Sequence, residues 1–269
     1  MAFEAEEQLA GGWQTDVRRV GDIVLRSAKP QSTTVIALLI HLRNAGFDAA
    51  PQPIGDGFSE DGREQLTFIA GESPQPKAWS DEASWQVGHL LRRLHDITAS
   101  FVAPADAVWR PWFARKLPGD APIIGHGDLG PWNILARGGL PVAFIDWDNA
   151  GPIDAHWELA QVGWLNAQLH DDDVAALNEF PSAMERSRQL GMILDGYGLA
   201  RPDRVGFVDK LIEFAIRSAR DEAINYRVGP DTVSPASDGF PVLWGVTWRA
   251  RAAAWMLDNR RTLDTAIGV

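Results

Sequence analysis

Two patterns of apolar residues divide this chain into a strand-rich beginning and a helix-rich remainder. Short apolar runs bounded by glycine or polar residues predict strands at 13–20, 22–27 and 66–69. One helix is predicted between the second and third strands, because apolar residues recur there at helical spacing. Its apolar positions and its predicted C-terminal glycine are Val35, Leu38, Leu39, Leu42 and Gly46.

Helices are predicted to predominate in the rest of the chain. Ser80, followed by Asp81 and Glu82, is typical of a helix start, because a serine oxygen caps free amides and acidic groups suit the positive end. The apolar stripe of this helix consists of Val87, Leu90, Leu91 and Leu94. Further helices are predicted at about 205–226 and 243–264. The second contains three tryptophans near one face, interpreted as core residues: Trp244, Trp248 and Trp255.

A β-hairpin is predicted near the middle of the chain. The apolar runs 134–136 and 142–145 flank a turn signal at 137–139. Asn133 then starts the first strand and Asp146 ends the second, so their side chains are expected side by side at the open mouth of the hairpin. Two oxygen-bearing side chains in that position suit a shared cation.

The segment leading into the hairpin has a pattern suited to phosphoryl transfer. It reads H-G-D-x-x-x-x-N from His126 to Asn133, and Asp146 follows thirteen residues later. Phosphoryl transfer from ATP uses a carboxylate that takes the hydroxyl proton and oxygen ligands that hold Mg²⁺. Asp128 is the candidate base, Asn133 and Asp146 are the candidate metal ligands, and His126 is predicted to anchor the loop. A polar loop beside an ordinary hairpin would also fit these residues.

Two strings, G-D-L-G-P-W-N at 127–133 and I-D-W-D at 145–148, resemble the motifs of the aminoglycoside phosphotransferase family. These are bacterial small-molecule kinases with the protein-kinase-like fold. The resemblance is strongest over 123–165 and moderate over 17–71. It implies that Asp128 is the catalytic base, that Asn133 and Asp146 bind magnesium, and that Asp148 is a secondary acidic residue.

The resemblance also implies a two-lobed α+β fold. The N-lobe would be a small antiparallel sheet with one helix at 1–71, with a hinge near 67–74. The larger, mainly helical C-lobe would comprise 72–269. The nucleotide, ATP or GTP, would bind at the hinge through backbone groups of Phe68 and Ala70, because adenine pairs there with the main chain.

The chain departs from the family where the phosphates would bind. The family carries a phosphate-binding lysine on its third strand, and this chain has Ile-Val-Leu-Arg ending at Arg26. Arg26 is therefore the candidate phosphate ligand, although arginine is not a simple substitute for lysine. No acidic residue lies between Gln31 and Phe47, so the helix glutamate that pairs with that lysine is predicted to be lost. Gly11-Gly12 is a candidate turn over the phosphates.

Composition narrows the classes of function. The net charge of −11 argues against nucleic acid or an anionic membrane as partner and suits a polar or cationic substrate. The absence of cysteine excludes disulfides and thiolate catalysis. No run of eighteen apolar residues and no leader sequence is visible, so a cytoplasmic protein is expected. A monomer or a homodimer is expected.

The predicted function is ATP-dependent phosphorylation of a hydroxyl group on a small molecule, an aminoglycoside or another antibiotic among the candidates. One alternative is a nucleotide-binding pseudo-kinase with a regulatory role. Another is a metal-dependent hydrolase that uses Asp128, Asp146 and Asp148. In the family, acceptor sites are lined by helix carboxylates, for which the candidates are Glu213, Asp221, Glu222 and Asp258.

Overall fold

The computed structural model describes residues 6–8, 17–75, 77–236 and 239–269. The predicted turn Gly11-Gly12 and the first half of the predicted strand 13–20 lie outside the described residues.

The N-terminal part contains an antiparallel sheet with one helix, as predicted. In the order in which they pair, the strands are β1 (Glu7–Gln8), β2 (Val17–Val20), β3 (Ile23–Arg26), β5 (Glu64–Thr67) and β4 (Pro53–Phe58). Helix α1 (Ser32–Asn44) follows β3 and buries all four predicted apolar positions.

Two features of this sheet differ from the prediction. Strand β5 begins and ends two residues before the predicted 66–69, although the N–H of Phe68 still donates to the carbonyl of Asp22, the residue before β3, at 2.8 Å. Strand β4 was not predicted, because Gly55 and Gly57 interrupt its apolar pattern. A side chain at Gly57 would collide with Ile36 of α1, so this glycine lets the strand approach the helix closely.

The remainder of the chain is mainly helical. Its helices are α2 (Asp81–Thr98), α3 (Ala155–Asn166), α4 (Asp172–Leu177), α5 (Ala183–Tyr197), α6 (Phe207–Asn225), α7 (Val242–Asp258) and α8 (Arg260–Ile267). Two small antiparallel sheets lie among them: β6 (Pro122–Gly125) with β9 (Gly151–Asp154), and β7 (Ile134–Arg137) with β8 (Leu140–Phe144). None of the described helices is both long and apolar enough to cross a lipid bilayer.

The helix predictions hold with two corrections. Ser80 caps α2 by accepting from Ala83 N–H, and the predicted stripe of α2 is buried. The single helix predicted over 243–264 is two helices separated at Asn259. The tryptophan prediction is correct for Trp255, which is buried, and wrong for Trp244, which is 43% exposed. Trp244 lies off the face that α7 buries, which contains Val242, Gly245, Ala252 and Met256.

Residues 70–72 connect the two parts of the chain. The N–H of Glu72 donates to the carbonyl of Ala136 at 3.0 Å, and the N–H of Ala136 donates back at 2.8 Å. The Nε of Arg137 donates to the carbonyl of Ala70 at 2.8 Å. The segment predicted as a hinge is therefore attached to the hairpin β7–β8. The exact lobe boundary at residue 71 stays a prediction.

Candidate active site

His126 fixes the loop that follows β6. The ring is fully buried, its Nε2 donates to the carbonyl of Ile145 at 2.9 Å, and its Nδ1 accepts from the N–H of Asp128 at 3.3 Å. These partners define a neutral ring with the proton on Nε2, and burial lowers the pKa of His126 accordingly. The predicted anchoring by His126 is confirmed, because its ring joins the loop to the end of β8.

The carboxylate of Asp128 is held by its own loop. Asn133 Nδ2 donates to both the carbonyl of Asp128 at 2.8 Å and its Oδ2 at 3.1 Å. Burial raises the pKa of Asp128 to about 6, and the charge of Asp146 adds to the rise. Hydrogen bonds from Asn133 and Trp132 act in the opposite direction and lower the pKa. A carboxyl group with this pKa is ionised at neutral pH yet basic enough to accept a proton in a reaction.

Asn133 and Asp146 meet at the mouth of the hairpin, as predicted. The N–H of Ile145 donates to the carbonyl of Asn133 at 2.9 Å, which sets the two residues side by side. Asp146 has a left-handed backbone with a φ of 60°, and its side chain is 53% exposed. The main chain turns here so that the carboxylate leaves the ladder and faces the solvent.

These two side chains fit a magnesium ion. The amide nitrogen of Asn133 is committed to Asp128, which leaves its Oδ1 as the atom that can face a cation beside the Asp146 carboxylate. Both are hard oxygen donors. Among the described residues, no group of three or more His, Cys, Asp or Glu side chains could hold a metal alone. The protein would thus supply two ligands, and phosphates and water the rest, which is how Mg²⁺ is usually bound.

Arg26 reaches this mouth from strand β3. Its buried guanidinium lies 2.9 Å (Nη2) from Asp148 Oδ1 and 3.5 Å (Nη1) from Asp146 Oδ1. Its Nε forms an ion pair with Glu64. Burial alone would lower the pKa of Arg26, but the three carboxylates outweigh it and raise the pKa. The candidate phosphate ligand therefore lies beside the candidate metal ligands.

Glu64 corrects the prediction that Arg26 has lost its acidic partner. The glutamate is on β5 rather than on α1, directly opposite Arg26 in the register of the two strands. It is fully buried and also accepts from the hydroxyl of Ser32, the first residue of α1. Glu64 was not predicted as the partner, because the family's glutamate lies on the helix and because β5 was predicted to begin after Glu64.

Asp148 differs from Asp146 in its surroundings. It is buried, and its two oxygens face Arg26 and Lys29. Burial would raise the pKa of Asp148, but these two cations outweigh it and lower the pKa. Asp148 is therefore fixed within the protein, whereas Asp146 is exposed. The contact of Lys29 with Asp148 was not predicted, because it joins segments that are distant in the sequence.

A buried polar chain supports the loop from below. The N–H of Gly127 donates to Glu158 Oε1 at 2.6 Å, and His95 Nε2 lies 2.8 Å from Glu158 Oε2. His95 Nδ1 in turn lies 2.8 Å from the hydroxyl of Tyr197. Burial would raise the pKa of Glu158, but the hydrogen bond from His95 and the N–H of Gly127 outweigh it and lower the pKa. No sequence motif indicated this role for Glu158.

The backbone groups of Phe68 and Ala70 that were predicted to pair with adenine already form hydrogen bonds within the protein. The N–H of Phe68 donates to Asp22, and the carbonyl of Ala70 accepts from Arg137. The Phe68 ring also lies under the guanidinium of Arg19, with 3.7 Å from Cζ to the ring centroid. Nucleotide binding through Phe68 and Ala70 stays a prediction. The adenine ring would have to pair with other backbone groups of this segment or with the second lone pair of the Ala70 carbonyl oxygen.

Arg110 and Arg249 are near enough to Asp128 to interact with its charge. Arg249 of α7 donates to Ser218 Oγ at 3.0 Å, and its Nη2 lies 3.7 Å from Glu222 Oε2. Burial lowers the pKa of Arg249, although the negative charges of Glu222 and Asp128 act to raise it. Of the predicted acceptor carboxylates, Glu222 is thus paired, and Glu213 forms an exposed ion pair with Arg217.

An antiparallel sheet joined to a helical region, with a buried aspartate beside a hairpin that ends in an exposed aspartate, is the arrangement expected of a kinase-like phosphotransferase. A model of the phosphotransferase enzyme family (APH) matches residues 73–198. The chain is 51% identical over 259 residues to the trifolitoxin immunity protein of Rhizobium leguminosarum bv. trifolii, covering 96% of this chain and 97% of that protein. The chain therefore belongs to this phosphotransferase family.

Solved structures confirm the fold. Amicoumacin kinase hAmiN, in complex with AMP-PNP, Ca²⁺ and Ami, aligns with a TM-score of 0.65 at 14% identity, covering 93% of this chain and 88% of its own. A choline/ethanolamine kinase family protein from Mesorhizobium loti aligns with a TM-score of 0.62 at 17% identity, covering 99% and 94%. The predicted resemblance to aminoglycoside phosphotransferases and the predicted kinase-like α+β fold are thus confirmed.

Proposed function

We propose that this protein transfers the γ-phosphoryl group of ATP to a hydroxyl group of a small molecule, with Mg²⁺ as cofactor. The observation that carries the proposal is the arrangement at the hairpin mouth. Asn133 donates to the Asp128 carboxylate at 3.1 Å, and the exposed Asp146 is near enough for its charge to raise the pKa of Asp128. The proposed base and the proposed magnesium ligands are thus adjacent, as phosphoryl transfer requires.

In this mechanism Asp128 orients the acceptor hydroxyl and takes its proton. The hydroxyl oxygen bonds to the γ-phosphorus while the bond from that phosphorus to the bridging oxygen of ADP breaks. Asp146 and Asn133 would hold the magnesium ion, which supplies positive charge to the phosphates when bound. Arg26 would contact the α- or β-phosphate, and Glu64 would fix the direction of its guanidinium.

The two alternatives have less support. The pseudo-kinase interpretation rested on the loss of a lysine–glutamate pair, and the ion pair between Arg26 and Glu64 is a candidate for its replacement. The hydrolase interpretation needs Asp148 as a third metal ligand, but both of its oxygens face cations, Arg26 and Lys29.

The similar proteins suggest which acceptors to test first. One is named for immunity to a toxin, trifolitoxin, and another for phosphorylation of amicoumacin. A third is a choline/ethanolamine kinase family protein. We therefore propose antibiotic-like toxins as the first class of acceptor to test, with amino alcohols as the cationic comparison.

The test is a screen of hydroxyl-bearing compounds for ADP formation, followed by mass spectrometry for a transferred phosphoryl group. Asp128→Asn is expected to retain Mg²⁺-dependent ATP binding and to lose turnover by about 10²–10⁴, the usual range for a positioned base. Asp106→Asn, an exposed carboxylate on a loop, is the matched control and should keep full turnover. Near-wild-type turnover by folded Asp128→Asn would refute the assignment. ATP binding without turnover across the whole screen would favour the pseudo-kinase.

A further inference from the structure

A groove of about 490 Å³ lies between the loop 111–117 and helix α6. We call it the α6 groove. Its size is in the range of small-molecule sites, about 300–1,000 Å³. Six side chains characterise it: the half-buried rings of Trp112 and Phe113, and the basic groups of Arg115, Lys116, Arg217 and Arg220.

Residues on both walls of the α6 groove interact with residues near the candidate active site. Arg115 Nη2 donates to the carbonyls of Asn149 at 2.9 Å and Ala150 at 3.1 Å, directly after the acidic segment 146–148. On the opposite wall, Asp221 is near enough to Arg249 to interact with its charge. Arg249 is in turn near enough to Asp128 to respond to its charge. A molecule in this groove could therefore extend towards the proposed base.

The positive charge of the α6 groove is only partly neutralised. Arg217 is paired with Glu213, at 2.6 Å from Nη2 to Oε1. Arg115 donates to neutral carbonyl groups. Over the described ranges, no carboxylate lies within ion-pair distance of Lys116 or Arg220. The one acidic lining group, Asp221, accepts from Asn225 Nδ2 at 3.1 Å. The lining thus has the character of an anion site with aromatic walls.

We infer that the α6 groove binds the acceptor and that the acceptor carries an anionic group next to an apolar or ring portion. The inference rests on the proposed function and specifies its substrate class. It runs opposite to the expectation drawn from the net charge of −11, because the side chains that line the groove, and not the whole surface, face a bound molecule.

The first experiment measures binding without nucleotide, so that it does not depend on turnover. The probes are 4-hydroxyphenylacetate, 4-hydroxyphenylacetamide and tyramine, which share a ring and a hydroxyl and differ in charge. A fourth probe, 4-hydroxybenzylphosphonate, separates carboxylate from phosphate-type recognition. Ligand-observed NMR titration should give the anions about tenfold tighter binding than the amide, and tyramine the weakest. The preference should fall as salt rises, because partly exposed charges are screened.

The variant that tests the location is Lys116→Gln/Arg220→Gln. It should reduce the preference for anions by about three- to tenfold. The control, Lys77→Gln/Arg261→Gln, removes the same charge from exposed positions outside the groove and should keep the preference. Equal binding of all probes, tighter binding of tyramine, absence of anion binding at millimolar concentration, or identical behaviour of both double variants would overturn the inference.

The second experiment uses any acceptor that the turnover screen identifies. The groove variant should raise its KM more than it lowers kcat, because the anion contact holds the acceptor in both the ground state and the transition state. A cationic acceptor whose KM is insensitive to the groove variant would overturn the inference and leave the proposed function intact. Preference for anions without phosphorylation of any acceptor would instead contradict the proposed function alone.

Discussion

The buried carboxylate of Glu158 offers the sharpest test of how the loop is held, through the substitution Glu158→Gln. Glu158 is fully buried and receives the N–H of Gly127 at 2.6 Å and His95 Nε2 at 2.8 Å. Glutamine has the same shape but only one acceptor oxygen, so one of the two donors would face an NH₂ group. Hydrogen bonds to a charged group contribute about 1.5–3 kcal/mol, and an unsatisfied buried donor adds a penalty. We expect a loss of about 2–4 kcal/mol in the free energy of unfolding.

The pH dependence of this loss has a definite sign. The pKa of Glu158 is lowered in the folded protein relative to its ordinary value of 4.5. A carboxylate with a lowered folded pKa contributes stability that is fully present above the unfolded pKa and is lost as pH falls through the folded pKa. The difference between wild type and Glu158→Gln should therefore be constant from about pH 6 to 8 and should shrink below about pH 4.5.

The assay is urea unfolding at pH 7.5 and at progressively lower pH, with thermal unfolding as a second measure. Near neutral pH the midpoint of thermal unfolding should fall by about 5–10 °C for a chain of this size. Glu213→Gln is the matched control, because Glu213 forms an exposed pair with Arg217 and should contribute about 0–1 kcal/mol. Equal stability of the two variants, or a difference that grows on acidification, would refute the reasoning.

Two further predictions concern the cations and carboxylates at the hairpin mouth. Asp146→Asn should abolish Mg²⁺-dependent nucleotide binding in titrations with ATP, whereas Asp148→Asn should weaken it less, because Asp148 faces Arg26 and Lys29. Greater sensitivity of Asp148→Asn would mean that the metal site is misassigned. Arg26→Ala should weaken ATP much more than adenosine, and Glu64→Gln should do so to a smaller degree, because adenosine has no phosphates to contact. An unchanged ratio of the two affinities would exclude Arg26 as a phosphate ligand.

Local sequence was sufficient for the loop and the hairpin. Asn133 and Asp146 are separated by a two-stranded unit whose turn and apolar runs are contiguous, so their proximity follows from one hairpin register. Ser80 marked the start of α2 because a cap depends on the next few residues alone. The prediction of a single helix over 243–264 was wrong, because α7 ends at Asp258 and α8 begins at Arg260 although the apolar periodicity continues across Asn259.

Contacts between distant segments could not be predicted in this way. Arg26 and Glu64 are paired because β3 and β5 are neighbours in the sheet with one particular register. A shift of that register by one residue would turn the glutamate to the other face. Glu158 lies 31 residues from Gly127 and belongs to a helix of nearly uniform burial, so its apolar pattern gave no sign of a polar contact. Both carboxylates became recognisable only when their partners were known.

The net charge of a protein is a weak guide to the charge of its substrate. Electrostatic attraction at long range follows the whole charge distribution, so a chain of −11 can draw cations towards its surface. At physiological salt, however, exposed charges are screened beyond about 8 Å, and a bound molecule responds mainly to the groups that touch it. The groups that border the α6 groove include Arg115, Lys116 and Arg220, while Asp221 is the one carboxylate. An acidic protein can therefore present a basic pocket. The preference among the charged probes will show whether recognition follows the net charge of the protein or the charges that line the α6 groove.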